Sequence, residues 1–168
     1  MQHTAGDAVN GGRSGDGICR RTLLGASFCT VGGSAQAKPP VPAAVVATDR
    51  SGAEVTASEW AKSHADRRPD LVLGLGGEPF YLLVSEDGTG VLPYALKAEC
   101  THLGCLAAWD LPTKRFACPC HGSQYDPEGR VLRGPAPRAL GLAKVNVREA
   151  DNKVELDVWG EDDFRASA

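Results

Sequence analysis

Between Cys100 and His121 the chain reads Cys-Thr-His-Leu-Gly-Cys, then twelve residues, then Cys-Pro-Cys-His, followed at once by Gly122-Ser123. No other stretch constrains the fold as strongly. The Cys-x-His and Cys-x-x-His half-sites each mix a thiolate with an imidazole, and no helix carries a histidine pair of the kind a zinc finger uses. Such donors must converge from two loops. A mixed pair on each of two loops suits a [2Fe–2S] cluster in which two histidines replace two thiolates on one iron. Cys100 and Cys118 would hold the inner iron, and His102 and His121 the outer one. A structural zinc ion is the competing use of the same four donors.

The histidines change the electrostatics of such a site. With two thiolates the oxidised cluster is formally neutral and reduction makes it singly negative; with four thiolates it would start doubly negative. Adding an electron to the neutral form is easier, which places a histidine-ligated centre in the high range of potentials. The imidazoles also couple electrons to protons, because an oxidised cluster withdraws density from the ring. On the outer iron, His102 or His121 could accept a hydrogen bond from a donor's hydroxyl and take its proton as the electron moves, which makes them the candidate catalytic pair. A hydroquinone meets that description.

Cys105 and Cys120 lie inside the same block. They are either two buried free thiols or a disulfide tying the loops together, and the second reading is favoured because glycine-containing loops have little packing to fix their separation. Ser123 and Tyr125 follow directly. Their hydroxyls are candidates to donate to a bridging sulfide and to a ligand thiolate, stabilising the reduced state. Gly134-Pro135-Ala136-Pro137 is expected to form a third, rigid loop covering the site.

The rest of the chain reads as all-β with one short helix. At 168 residues, with 20 glycines and 11 prolines spread away from any long periodic run, it holds one ordinary domain and an appendage rich in turns and short strands. Its net charge is −3 and its C-terminal end is acidic. No basic stripe runs beside an aromatic platform, so nucleic acid is excluded as a partner. Residues 1–42 form a separate segment, read as a targeting or anchor sequence and linker. Arg20-Arg21 precede a weakly apolar run ending at Ala35-Gln36-Ala37, the parts of an export signal. As a membrane anchor the run is short, against about 20 residues for a full span. Lys38-Pro39-Pro40-Val41-Pro42 makes a stiff spacer, and residues 43–168 form the domain. Within it, Thr56-Ala57-Ser58-Glu59 predicts a capping box opening a helix to about His64, with His64 at the surface. Residues 71–73 and 80–84 predict a hairpin. Residues 92–99, 115–117 and 124–125 predict the strands that enter and leave the ligand loops, and 144–147 with 154–158 a closing hairpin about Asp151-Asn152.

These motifs carry a resemblance. Cys100-Thr-His-Leu-Gly-Cys105, Cys118-Pro-Cys-His-Gly-Ser123 and Gly134-Pro-Ala-Pro137 resemble the Rieske iron–sulfur proteins of quinol:cytochrome oxidoreductases. Residues 94–157, with Trp109, Gln124-Tyr125 and Arg133, are similar to the cytochrome b6f branch of cyanobacteria and chloroplasts. The resemblance implies a Rieske-type antiparallel β sandwich with a cluster-binding subdomain at about residues 94–137. It implies one [2Fe–2S] cluster on Cys100, His102, Cys118 and His121, a Cys105–Cys120 disulfide, and hydrogen bonds from Ser123 and Tyr125. It implies electron transfer from plastoquinol to cytochrome f beside cytochrome b6 and the other b6f subunits, with the head on the lumenal side of a thylakoid membrane. Leu103 and the 135–137 loop would lie on the docking face. The alternative is a soluble Rieske-type ferredoxin, or a lumenal or periplasmic carrier outside such a complex. The short apolar run and the proline-rich spacer, where this family has a clear transmembrane helix and a glycine-rich hinge, keep that alternative in view.

Overall fold

The computed structural model describes residues 44–167. The segment read as signal or anchor lies outside them; among the described residues no helix is long and apolar enough to cross a membrane. Ten strands and one helix follow in the order β1 (Ala44–Val46), α1 (Ala57–Ser63), β2 (Asp70–Leu73), β3 (Pro79–Val84), β4 (Val91–Lys97), β5 (Ala108–Asp110), β6 (Arg115–Ala117), β7 (Gln124–Tyr125), β8 (Val131–Arg133), β9 (Leu142–Val147) and β10 (Val154–Val158). They form two antiparallel sheets, one of six strands ordered β1-β10-β9-β4-β3-β2 and one of four ordered β5-β6-β7-β8. Both predicted hairpins, β2–β3 and β9–β10, are present. Just past β1, Thr48 exchanges backbone hydrogen bonds with Leu73 of β2 at 3.0 and 2.8 Å. The large sheet thereby curls and joins its own edges there, leaving less unpaired backbone to solvent.

The uninterrupted apolar run of β3 has a physical reason. Alternate side chains of a strand point to opposite faces, and both faces of β3 are covered. Phe80, Leu82 and Val84 enter the core inside the large sheet with Val72, Ala95, Val145, Val154 and Leu156. Tyr81 and Leu83 enter a second core with Leu96, Ala98, Phe116, Tyr125 and Leu140. That second core joins the two sheets. The Tyr81 and Phe116 rings lie 4.7 Å apart, Phe116 and Trp109 lie 4.8 Å apart, and the Tyr81 hydroxyl donates to the Ala107 carbonyl at 2.7 Å. Each fully buried side chain of this size contributes on the order of 1.5–3 kcal/mol.

Helix α1 begins where the sequence predicts, but its cap is not local. Thr56 donates its hydroxyl to the Glu59 carboxylate at 2.7 Å instead of capping a backbone N–H. The cap comes from Asn152, whose backbone carbonyl accepts from the Ala57 N–H at 2.9 Å and whose side chain accepts from the Ser58 N–H at 3.0 Å. Asn152 sits at the β9–β10 turn with φ of 59°, a conformation that asparagine tolerates better than alanine. Replacing Asn152 with alanine removes the side-chain half of the cap and strains the turn together. A loss of about 1–2 kcal/mol is expected from urea denaturation.

His64 departs from the surface role expected of it. Its ring stacks on Trp60 at 4.1 Å between centroids, Nδ1 lies 3.0 Å from the Trp60 carbonyl, and Nε2 lies 3.5 Å from an Asp70 carboxylate oxygen. Its side chain is only 18% exposed. A polar neighbourhood in sequence had concealed an aromatic neighbour one helical turn away.

Candidate metal centre

Strand β4 delivers the chain to the first ligand loop, and β6 and β7 flank the second. Although the sequence shows no internal repeat, the two loops repeat one backbone pattern. In the first, the Cys100 N–H donates to the Cys105 carbonyl at 2.7 Å and the Gly104 N–H donates back to the Cys100 carbonyl at 2.9 Å. In the second, Cys118 N–H to Ser123 carbonyl and Gly122 N–H to Cys118 carbonyl are 2.8 and 3.0 Å. Both glycines have positive φ, 77° at Gly104 and 76° at Gly122, a turn that a side chain would strain. One scaffold thus presents Cys100 and His102 from one side and Cys118 and His121 from the other.

The four expected donors fall into two tiers. Cys100 and Cys118 are free thiols at 2% and 3% exposure. His102 is half-buried and His121 exposed, and their rings meet edge-to-face with centroids 4.7 Å apart. His102 Nδ1 is shielded from solvent yet has no hydrogen-bond partner among the described residues. A buried nitrogen without a partner is costly unless something absent from the protein atoms satisfies it. The donor set fits a [2Fe–2S] cluster better than one ion. A tetrahedral zinc would draw its donors to within about 4 Å of one another. Among the described residues, the one group of three or more metal-capable side chains that converges within 4.8 Å is Cys105, Cys118 and Cys120, and two of those sulfurs are consumed by a bond to each other.

That bond is the Cys105–Cys120 disulfide, with the Cα atoms 6.6 Å apart. It joins the end of the first loop to the middle of the second. The 134–137 segment packs against the second loop as expected, its Ala136 N–H donating to Ser123 Oγ at 3.0 Å. Ser123 is wholly buried. Because its oxygen already accepts from Ala136, its own proton is free to point toward the donors.

Tyr125, also wholly buried, lies with its hydroxyl 3.1 Å from Cys100 Sγ. Burial pushes the Cys100 thiol up, but hydrogen bonds from Tyr125, the His102 backbone, Cys118 and Ser123 outweigh it and hold the thiol below its ordinary value. Burial, and then the hydrogen bond to Cys100, push the Tyr125 hydroxyl up. The Tyr125 hydroxyl is thus placed to donate to the sulfur. Sequence reasoning missed Thr101, whose N–H donates to the Tyr125 oxygen at 3.2 Å and whose hydroxyl donates to the Arg138 carbonyl at 2.6 Å. Its position between Cys100 and His102 was the available signal. Leu103 projects from the first loop at 68% exposure.

A closed, antiparallel β base carrying two disulfide-linked loops with two thiols below and two histidines above defines a class of redox domain. Residues 60–149 match the family described as the Rieske [2Fe-2S] domain, and the chain belongs to that family. Among curated relatives, it is 53% identical over 123 residues to the chloroplastic cytochrome b6-f complex iron-sulfur subunit of Bigelowiella natans, covering 73% of this chain and 48% of that one. It is 48% identical over 121 residues to the cytochrome b6-f complex iron-sulfur subunit of Microcystis aeruginosa, covering 72% and 66%. The chain spans about half the length of the first of these relatives. Among solved structures, it matches a cyanobacterial plasma membrane Rieske protein from Synechocystis PCC 6803 at 26% identity and a TM-score of 0.47, over 62% of this chain and 97% of that one.

Proposed function

We propose that this chain is the high-potential electron-transfer subunit of a cytochrome b6f complex, within the plastoquinol–plastocyanin reductase reaction, and that it works on the lumenal side of a thylakoid membrane. It would accept one electron and the coupled proton from plastoquinol and pass the electron to cytochrome f, beside cytochrome b6. When bound, the [2Fe–2S] cluster supplies the one-electron chemistry. Cys100 and Cys118 would hold its inner iron, and His102 and His121 its outer iron. The observation that carries this reading is the histidine pair, 4.7 Å apart at the open end of a site whose thiols are buried. An imidazole in that position can take a hydrogen bond from a hydroxyl and hold its proton, while the exposed Leu103 beside it offers apolar contact to a ring or a partner surface. The disulfide and the names of the relatives support the b6f branch over a soluble ferredoxin.

The test uses the reconstituted holoprotein in stopped flow, first against a short-chain plastoquinol and then against purified cytochrome f. Reduction by the quinol and reoxidation by cytochrome f are expected, with a midpoint potential inside the range of roughly −150 to +300 mV set by histidine ligation. A midpoint near about −400 mV, as in plant-type ferredoxins, or failure to reduce cytochrome f, would overturn the proposal.

A further inference from the structure

The described chain buries two polar or charged side chains below one-tenth exposure, Ser123 at the centre and Arg165 near the C-terminus. Arg165 serves no step considered above, yet it is tightly held. Its Nη1 donates to the Glu128 carbonyl at 2.9 Å and its Nη2 to the Leu140 carbonyl at 2.8 Å, while Nε and Nη2 grip the Asp163 carboxylate at 2.8 and 2.7 Å. The neighbouring Phe164 ring lies 4.9 Å from that of Tyr94 and fixes the segment on β4. The hydrogen bond from Arg165 is the main reason the Asp163 carboxyl is held below its ordinary range.

Both carbonyls held by Arg165 lead back to Tyr125. Glu128 lies in the turn directly after it, closed by the Asp126 N–H donating to the Arg130 carbonyl at 2.9 Å. Leu140 is wholly buried, and its N–H donates to the Gly129 carbonyl at 2.9 Å. Two residues before Leu140, the Arg138 carbonyl takes the Thr101 hydroxyl proton. With that proton committed, Thr101 donates only its N–H to Tyr125; its Oγ lies 3.4 Å from the Tyr125 oxygen, and Cys100 Sγ, at 3.1 Å, is the nearer acceptor for the single Tyr125 proton. The 128–129 turn and the 138–140 segment are thus stapled together by one guanidinium, and the tyrosine oxygen is located by both. At Gly129, where φ is 82°, even a Cβ would come within 3.0 Å of Arg165 Nη1, which shows how closely the staple fits.

We propose that Arg165 is a positioning residue for the Tyr125–Cys100 hydrogen bond, and that it thereby raises the potential of the centre. Hydrogen bonds weaken steeply as distance and angle drift, and one donated to a ligand thiolate favours the more negative, reduced state. The inference rests on the cluster assignment made above.

The experiment compares holoproteins of the wild type, Arg165→Lys, Arg165→Gln, Tyr125→Phe and the two double variants by protein-film voltammetry. Lysine and glutamine each keep a donor for one carbonyl, so neither change strands both. Tyr125→Phe is expected to lower the midpoint potential. Each Arg165 variant should lower it by less, with lysine and glutamine alike because the staple and not the charge matters. In the Tyr125→Phe background the Arg165 changes should produce no further fall. A wild-type potential in both Arg165 variants, or an equal fall with and without the tyrosine hydroxyl, would overturn the inference. Voltammetry reads only molecules that hold a cluster, so a lower yield of folded variant does not hide the result. A wild type that takes up no cluster at all would defeat the functional reading instead, and the two failures are thereby told apart.

Discussion

Cys118→Ser is expected to give a chain that folds yet purifies with essentially no iron or acid-labile sulfide. Cys118 is 3% exposed and its thiol is free, so a serine of nearly the same size fits the space and the Cys118–Ser123 and Gly122–Cys118 backbone hydrogen bonds survive. The core inside the large sheet does not include it. If Cys118 binds iron as proposed, what is lost is a soft sulfur ligand that a hydroxyl cannot replace. The Cys105 and Cys120 sulfurs lie within 4.8 Å of Cys118 and would be the natural substitutes, but the disulfide removes both from use. Iron and sulfide analysis with visible circular dichroism reads the outcome. Stoichiometric iron and an unchanged spectrum in Cys118→Ser would sink the assignment of this residue as a ligand.

Loss of the disulfide is expected to have the next largest effect. The bond closes a sequence separation of 15 residues, for which chain entropy predicts about 3 kcal/mol of stabilisation. The effect concentrates on the loops, because Leu103, Gly104, Pro119, Cys120, His121 and Gly122 are all exposed and little packing holds one loop to the other. In a Cys105→Ser/Cys120→Ser double variant, urea titration should show the cluster bleaching well before the β signal changes, and bleaching at rest should be faster than in the wild type. Changing both cysteines avoids leaving a stray thiol beside Cys118, where it could exchange or ligate. An unchanged bleaching midpoint and cluster lifetime would mean that the backbone turns alone hold the loops.

Much of the base was legible in the sequence because its strands are long enough to show their pattern. The β2–β3 and β9–β10 hairpins, β4 and α1 follow from apolar runs bounded by turn residues, and each is present at nearly the expected bounds. The short β6 and β7 were found through the ligand motifs beside them, but the three-residue strands β1, β5 and β8, with no such motif, were not legible. Three residues carry no measurable alternation, and their existence depends on partners elsewhere, such as the Trp109–Phe116 and Tyr125–Val131 pairings. The same holds for the cap of α1, which comes from Asn152, 94 residues away from Ser58, and for the shelter His64 finds against Trp60 and Asp70.

The division at the site is similar. Thiolate, imidazole and hydroxyl chemistry belongs to residue type, and the spacing of Cys100, His102, Cys118 and His121 already restricts what they can bind, so the sequence by itself determined the family and the nature of the cofactor. Tertiary structure alone decided that the thiols lie buried while the histidines stand at the opening, that the Tyr125 hydroxyl reaches Cys100 Sγ and Thr101, and that Arg165 ties the turn after Tyr125 to the segment before β9. These contacts join residues tens of positions apart through backbone carbonyls, which every residue possesses. Their formation is set by which segments the two cores bring together, against the entropy of closing long loops, and local sequence carries no mark of it.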